Sequence, residues 1–160
     1  MKKYLQKKLN NEKGMTLIEL LAVIVIIAII SAIAIPAIAG IIENSRVGAI
    51  KSDAINVINS AKIYQADTND TTVTLVQLES GGYIEDAGTF EELSPEDKAL
   101  VKVEFTGGNA LLSGENFDDG IVLTFATADI AAINALANGT DVSGTSTAGV
   151  GNGSVTVTKR

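Results

Sequence analysis

One uninterrupted aliphatic run constrains this chain more than any other feature. Between positions 17 and 42 the only charge is Glu19, and from Leu20 to Ile35 only Ser31 breaks the aliphatic series. A helix crosses a bilayer core with about 20 apolar residues, and residues 15–42 supply them. A carboxylate inside such a span costs roughly 2.5–3.5 kcal/mol on insertion scales. A chain that keeps an acid five residues past Gly14, at the mouth of the run, is expected to provide it with a partner. Ahead of the run stand Lys2, Lys3, Lys7, Lys8 and Lys13 against the single acid Glu12. That flank is expected to stay on the cytoplasmic side, where short basic segments are retained.

Lys13-Gly14-Met15-Thr16-Leu17-Ile18-Glu19-Leu20-Leu21 resembles the class III signal of type IV prepilins and pseudopilins. The resemblance implies that a membrane aspartyl peptidase, the prepilin peptidase, cuts after Gly14 and that the new N-terminus at Met15 is methylated. It also implies that Glu19 is the acid that meets the N-terminal amine of a neighbouring subunit. Met15 stands where Phe is usual, a position that tolerates other apolar side chains. Pro36 and Gly40 stand where pilins often carry residues that loosen the helix. The resemblance covers the chain to about Tyr64, most like Gram-positive type IV major pilins and competence-type pseudopilins.

The residues support a reading of their own. A secretory signal is cut after its apolar region, whereas Gly14 precedes this one, so cleavage there leaves the apolar helix attached. The cut would create an amine at Met15, cationic below a pKa of about 8, one helical turn from Glu19. Pairing within one subunit and pairing between neighbours both remain open on this ground. Either neutralises the acid cheaply at membrane depth. A plain signal anchor with an incidental Glu is the competing reading, and it explains neither Gly14 nor Glu19 nor their spacing. Pro36 lacks an N–H and crowds the carbonyl four residues earlier, and Gly40 weakens a helix by about 1 kcal/mol relative to Ala. The expected soft point at Pro36–Gly40 competes with a tolerated transmembrane proline.

Composition bounds the remainder. The 160 residues carry a net charge of −7. The first fourteen contribute +4, which leaves −11 on the rest of the chain. So acidic a surface argues against an intrinsic nucleic-acid groove and sets unassembled domains repelling one another. Cysteine and histidine are absent, which rules out a disulfide and removes the commonest general base and metal ligand. No spacing among the other polar residues suggests catalysis, and none calls for a cofactor.

After Glu43 the pattern changes. Val47, Ile50, Ala54, Val57, Ile58, Ala61 and Tyr64 recur at three- and four-residue steps, one apolar stripe on a helix. Arg46, Lys51, Asp53, Asn56, Asn59 and Lys62 fall mostly on the other side. One helix from Met15 to Gln65 would span about 75 Å at 1.5 Å per residue. Turn-forming residues 67–72 are expected to end it. A short helix is expected next, with Leu75 and Leu78 inward and Gly81 closing it. Its Gly-Tyr sequel resembles a segment of many Gram-positive and competence-type pilins. Ser94-Pro95 reads as an N-cap with proline at the first helical position.

Residues 100–106 alternate as a half-buried strand, Gly107-Gly108-Asn109 turns the chain, residues 110–113 read as a short strand, and residues 121–125 as a clear one. Residues 129–136 read as a helix capped by Asp129 and stopped at Asn138-Gly139. Residues 140–153 read as a Gly/Ser/Thr-rich surface loop with a tight turn at Asn152-Gly153, and residues 154–158 as a last strand. The expectation is an α+β, pilin-like fold with three or four antiparallel strands packed on the long helix. Its parts are a leader (1–14), a transmembrane or filament-core helix (15–42), an amphipathic continuation (43–66) and a globular β domain (67–160).

Weaker signals compete with ordinary solvated loops. Asp67, Asn69 and Asp70 hold part of a calcium-loop spacing, but Thr72 stands where that loop needs Gly. Glu115, Asp118 and Asp119 form an acidic turn, and some secretion pseudopilins bind calcium in C-terminal loops. Sequons at Asn69, Asn138 and Asn152 arise easily by chance in so Asn/Thr-rich a chain. No metal site is expected, and past the leader only Tyr64 puts an aromatic in the long helix, too few for a conducting core. The expected function is that of a major pilin in a type IV pilus-like filament, not an enzyme. The alternatives are a competence or type II secretion pseudopilin and, in another class, a monomeric membrane-anchored binding protein. The resemblance implies as partners further copies of the chain, the prepilin peptidase, an assembly ATPase with its inner-membrane platform protein, and the membrane. It places the chain first in the cell membrane and then on the cell surface.

Overall fold

The computed structural model describes the backbone of residues 2–137, 146–149 and 152–159, and side chains from Leu17 onward except Ser146. The chain divides into two compact units, Met1–Gly40 and Ile41–Arg160. The first is helical, the N-terminal part of α1 (Lys2–Thr68). Every large aliphatic from Leu17 to Ile38 is between 47% and 70% exposed in it.

The second unit begins with the rest of α1, and here the stripe decides the packing. Val47, Ile50, Ala54, Val57, Ile58 and Ala61 are each at most 2% exposed, and Tyr64 packs half-buried at the end of the row. They form one wall of the core. The other wall is an antiparallel sheet of six strands among the described residues, in the order β1-β2-β3-β4-β6-β5. The strands are β1 (Thr72–Thr74), β2 (Lys102–Thr106), β3 (Asn109–Asp118), β4 (Ile121–Ala128), β5 (Ser146–Ala148) and β6 (Ser154–Lys159). The architecture is α+β and pilin-like, with more strands than the three or four expected. β1 begins in the stretch expected as turn, and β5 lies inside the stretch expected as loop. Both are three-residue edge strands, too short for alternation to register.

β2 starts two residues later than expected: Val103 is buried between half-buried Lys102 and Glu104, Phe105 is half-buried, and the buried Val101 lies one residue ahead of the strand. Its hairpin to β3 pairs Thr106 with Asn109 across Gly107-Gly108. β3 runs to Asp118, well past the expected end at position 113, because Asp119-Gly120 makes a second two-residue hairpin pairing Asp118 with Ile121. Asp-Gly between strands is a strong hairpin signal. The acidic residues 115 and 118 are therefore strand residues. The pairing shifts between Leu112 and Gly114, and the neighbouring Thr127 sits at φ 51°, a bulge.

Short helices close the edges of the core. α2 (Leu75–Ser80) buries Leu75 and Leu78, and its N-cap Thr74 exchanges hydrogen bonds with Gln77 in a capping box. The left-handed residue after it is Gly82 (φ 73°), not Gly81. Gly81 is required for another reason: a Cβ there would stand 2.8 Å from the Tyr83 ring. α3 (Pro95–Leu100) starts as expected, with the Asp97 N–H donating to Ser94 Oγ at 3.2 Å. α4 (Ile130–Ala135) is capped by Asp129, which accepts from the Ala132 N–H at 2.8 Å. The stop expected at Asn138-Gly139 lies outside the described residues, as does most of the loop expected at 140–153.

A 3₁₀ turn at Gly88–Glu92 sends Phe90 into the core, where its ring lies 6.3 Å from that of Phe125. The turn is fastened to α1 by Asp53, whose Oδ2 accepts from Thr89 N–H at 2.8 Å and from Thr89 Oγ1 at 2.9 Å. The buried Asn116 Nδ2 then donates to Thr89 Oγ1 at 2.7 Å. Gly88 permits this approach. Its φ is +63°, and a Cβ would fall 2.3–2.5 Å from the Asp53 carboxylate. Gly88→Ala is therefore expected to lower domain stability by about 1–3 kcal/mol, read as a lower denaturant midpoint in detergent; an unchanged midpoint would refute the fastening.

Lys98 donates to Glu91 at 2.6 Å and Glu79 at 2.9 Å. Burial pulls the Lys98 ammonium down, but the two carboxylates outweigh it and raise its pKa. The bond from Lys98, helped by the Ala87 N–H, holds the Glu91 carboxyl below its ordinary value. A depressed carboxyl stabilises the fold above its unfolded pKa and stops doing so as pH falls through the folded one; a raised ammonium does so below its unfolded pKa until pH rises through the folded one. Lys98→Met is expected to lose stability at neutral pH, with the deficit shrinking towards pH about 3 and above pH about 11. Urea titration across pH checks this, and a pH-independent deficit would show that the ion pairs are not its source.

Candidate functional site

The apolar half of α1 is a helix for a reason independent of propensity. β-branched residues are mediocre helix formers in water. In lipid each backbone polar group must be satisfied within the segment, which a helix achieves. The stretch beginning at Leu17 is long and apolar enough to cross a membrane, and none of its most apolar window is buried by the rest of the chain. Large side chains are exposed all round it. Glu19 is exposed on it. Among the described residues no side chain meets its carboxylate with a hydrogen bond or ion pair. Pro36 lies inside α1, and the helix continues through it. Gly40, four residues on, has open space where a Cβ would be. The side chain of Met15 lies outside the described residues.

The acidic positions with a partial calcium-loop spacing have other partners. Asp70 accepts from the Tyr64 hydroxyl at 2.9 Å and Asp67 from that of Tyr83 at 3.1 Å. These bonds raise both phenols above their ordinary pKa. The two rings meet edge to face at 5.1 Å, so an aromatic pair and two carboxylates finish α1 in place of a metal loop. Glu115 accepts from Thr124 at 3.2 Å, and Asp119 pairs with Arg46. Among the described residues no three acids gather closely enough to hold a metal ion.

Sequence reasoning missed how the domain grips the first turns of its helix. Arg46 pairs with the Asp119 side chain and donates to its carbonyl at 3.2 Å. Glu43 pairs with Lys159 of the last strand. Lys51, expected among the polar residues facing outward, is 8% exposed, and its Nζ donates to the Leu136 carbonyl at 2.6 Å. Burial lowers its pKa. Its long stem allows a cation on the margin of an apolar stripe to be covered while the head reaches a carbonyl.

An apolar helix with one carboxylate near its start, following a Lys-Gly junction, is what the family comparison also finds. Residues 9–35 match the model of the prokaryotic N-terminal methylation motif. This is the class III signal of type IV pilins and pseudopilins. The methylation motif spans Gly14, Met15, Glu19 and most of the exposed aliphatic series. No curated protein and no solved structure matches the chain. Motif and apolar helix together support a type IV pilin or pseudopilin, a structural class of protein, with membrane anchoring through the helix and processing by prepilin peptidase.

Proposed function

We propose that the chain is a major subunit of a type IV pilus-like filament. It is inserted in the membrane with its basic flank cytoplasmic, cut after Gly14, methylated at Met15 and polymerised through its N-terminal helix. The observation that carries this reading is the methylation motif on a helix whose large aliphatics all stay uncovered. Lipid and a core of neighbouring Leu/Ile helices are similarly apolar, so moving from one to the other is nearly neutral per unit area. Direction and register then come from charge. Glu19 pairs with the Met15 amine of the adjoining copy, while an assembly ATPase and its membrane platform protein drive extrusion. Residues 1–14 are the leader, 15–42 the storage and core helix, 43–66 its amphipathic continuation and 67–160 the outward domain. Pro36–Gly40 is the place where the helix yields on packing. The sizeable acidic domain favours a major pilin over a competence or secretion pseudopilin.

Glu19→Ala is expected to insert in the membrane normally and fail to assemble. An amine left without its counter-ion at membrane depth costs about 3–5 kcal/mol, which corresponds to a fall of about a hundredfold or more in sheared filament. Normal filament yield from this variant would end the pairing role. Gly14→Trp is expected to retain the lysine-rich leader, so that the N-terminal mass begins at Met1 instead of methylated Met15; a mature N-terminus in that variant would refute the cleavage site. A wild-type chain that never leaves the membrane fraction would favour the anchored binding protein instead.

A further inference from the structure

Within the Ile41–Arg160 unit, α1 and α4 border an open groove of about 590 Å³. Its described lining holds no acid. Lys51 forms part of that lining, 8% exposed, with its Nζ donating to the Leu136 carbonyl at 2.6 Å. The same lining carries the amides of Asn44 and Asn134 and the hydroxyls of Ser45 and Ser52. Ser52 spends its proton on the Gly48 carbonyl at 2.9 Å. Among the described residues, no hydrogen bond engages the side chains of Asn44, Ser45 or Asn134, which leaves their N–H and O–H groups available to a ligand. A Cβ on Gly48 would meet nothing within 4 Å, so glycine keeps the middle of the groove open. Ile41 and Ile55 flank it two helical turns away on either side.

Resting on the membrane-inserted state proposed above, we infer that this groove binds the phosphodiester headgroup of a phospholipid, in the leaflet opposite the basic flank. Charge selects an anion. The chain beyond residue 14 carries −11, a field that repels anions over most of the domain, whereas here a cation lines the wall and no described acid does. A lysine ammonium is a compact point charge with three donors, suited to a phosphate oxygen. The neutral amide and hydroxyl donors serve the remaining oxygens. Position selects the lipid over a free phosphate. Asn44, Ser45 and Gly48 follow Ile42, the last residue of the apolar run, by two, three and six residues, about 3–9 Å along the helix. The headgroup layer of a bilayer is about 5–8 Å deep on each side. Ile41, 67% exposed, stands at the lower edge, where the acyl chains of the same lipid begin. The bound headgroup fixes the depth at which the subunit is stored, and extraction of the subunit releases it.

The test uses the full chain, purified from membranes in a nonionic detergent and read by native mass spectrometry. Titration with phosphatidylglycerol should give a one-to-one adduct, and inorganic phosphate at the same concentration should give none. A diglycosyl diacylglycerol, alike in its acyl chains but without phosphate, should bind far more weakly. Lys51→Met keeps the apolar stem, and Gly48→Leu fills the groove while raising helix propensity. Each should weaken the phosphatidylglycerol adduct by about tenfold, the scale of one hydrogen bond to a charged group. Lys62→Met removes an exposed cation elsewhere on α1 and should leave the adduct unchanged. Circular-dichroism melting shows whether Lys51→Met stays folded, and Gly48→Leu carries the test if it does not. Absence of the wild-type adduct, an undiminished adduct in Gly48→Leu, an equal loss in Lys62→Met, or equal binding of the phosphate-free lipid overturns the groove and leaves the membrane-inserted reading standing. An equal adduct with inorganic phosphate overturns the lipid as its source. A wild-type chain found outside the membrane fraction of cells overturns both the groove and that reading.

Discussion

The contact between the stripe of α1 and the sheet is the one on which the rest of this chain depends, as much for where it stops as for what it buries. From Val47 to Ala61 the helix is covered on one side, and its apolar residues there are almost wholly removed from water. N-terminal to Ile41 the aliphatic content rises, yet the cover does not follow. A fully buried Leu or Ile side chain is stabilised by about 1.5–3 kcal/mol relative to exposure, and none of the series from Leu17 to Ile38 receives that from its own domain. One helix therefore carries two kinds of apolar surface: a stripe that its own core covers, and an exposed series long and apolar enough to cross a membrane.

The polar contacts around that boundary fix position more than they add stability. Arg46–Asp119 and Glu43–Lys159 are partly exposed pairs, a class typically worth about 0–1 kcal/mol. Their value is geometric. They hold the tip of the β3–β4 hairpin and the end of β6 against the first covered turns of α1. Asp53 performs the same service from the middle of the stripe, reaching through Thr89 to Asn116 on β3. The sheet is thus registered on the helix at several heights by side chains that arise from the helix itself.

That division explains what the sequence made legible. The α1 stripe could be read residue by residue, because a 3.6-residue period over five turns leaves little room for another arrangement. The caps at Ser94-Pro95 and Asp129 were equally plain, since their chemistry is local. What escaped notice depends on tertiary context. Lys51 sits at the edge of the stripe, and whether its head faces water or the Leu136 carbonyl is settled by a helix 85 residues away. The second half of β3 carries Gly114, Glu115 and Asn116, a poor strand by composition, paired because β4 lies alongside it. The Asp119-Gly120 turn carries a hairpin signal of its own beside its acidity. At the candidate site the sequence alone singled out Gly14, Met15 and Glu19, and residues 9–35 match the methylation motif that spans them.

The closing part of the domain shows how a chain without cysteine holds its C-terminal strand. Many pilins from Gram-negative bacteria tie a C-terminal loop with a disulfide, and this chain has no residue to do so. Asp129 substitutes a set of hydrogen bonds. One carboxylate oxygen caps α4 and the other accepts from the Asn152 N–H at 3.2 Å, while the Asp129 N–H donates to the Asn152 carbonyl at 3.2 Å. Gly153 then passes so near β4 that a Cβ would stand 2.0 Å from the Thr127 carbonyl oxygen, which leaves glycine alone suited to the crossing. Closing a segment of this length costs entropy that grows only slowly with its length. A few well-placed hydrogen bonds and the β4–β6 ladder therefore suffice where a covalent bond is unavailable. The Lys159–Glu43 pair brings the same strand back to the helix, so β6 is fixed to the element on which the core is built.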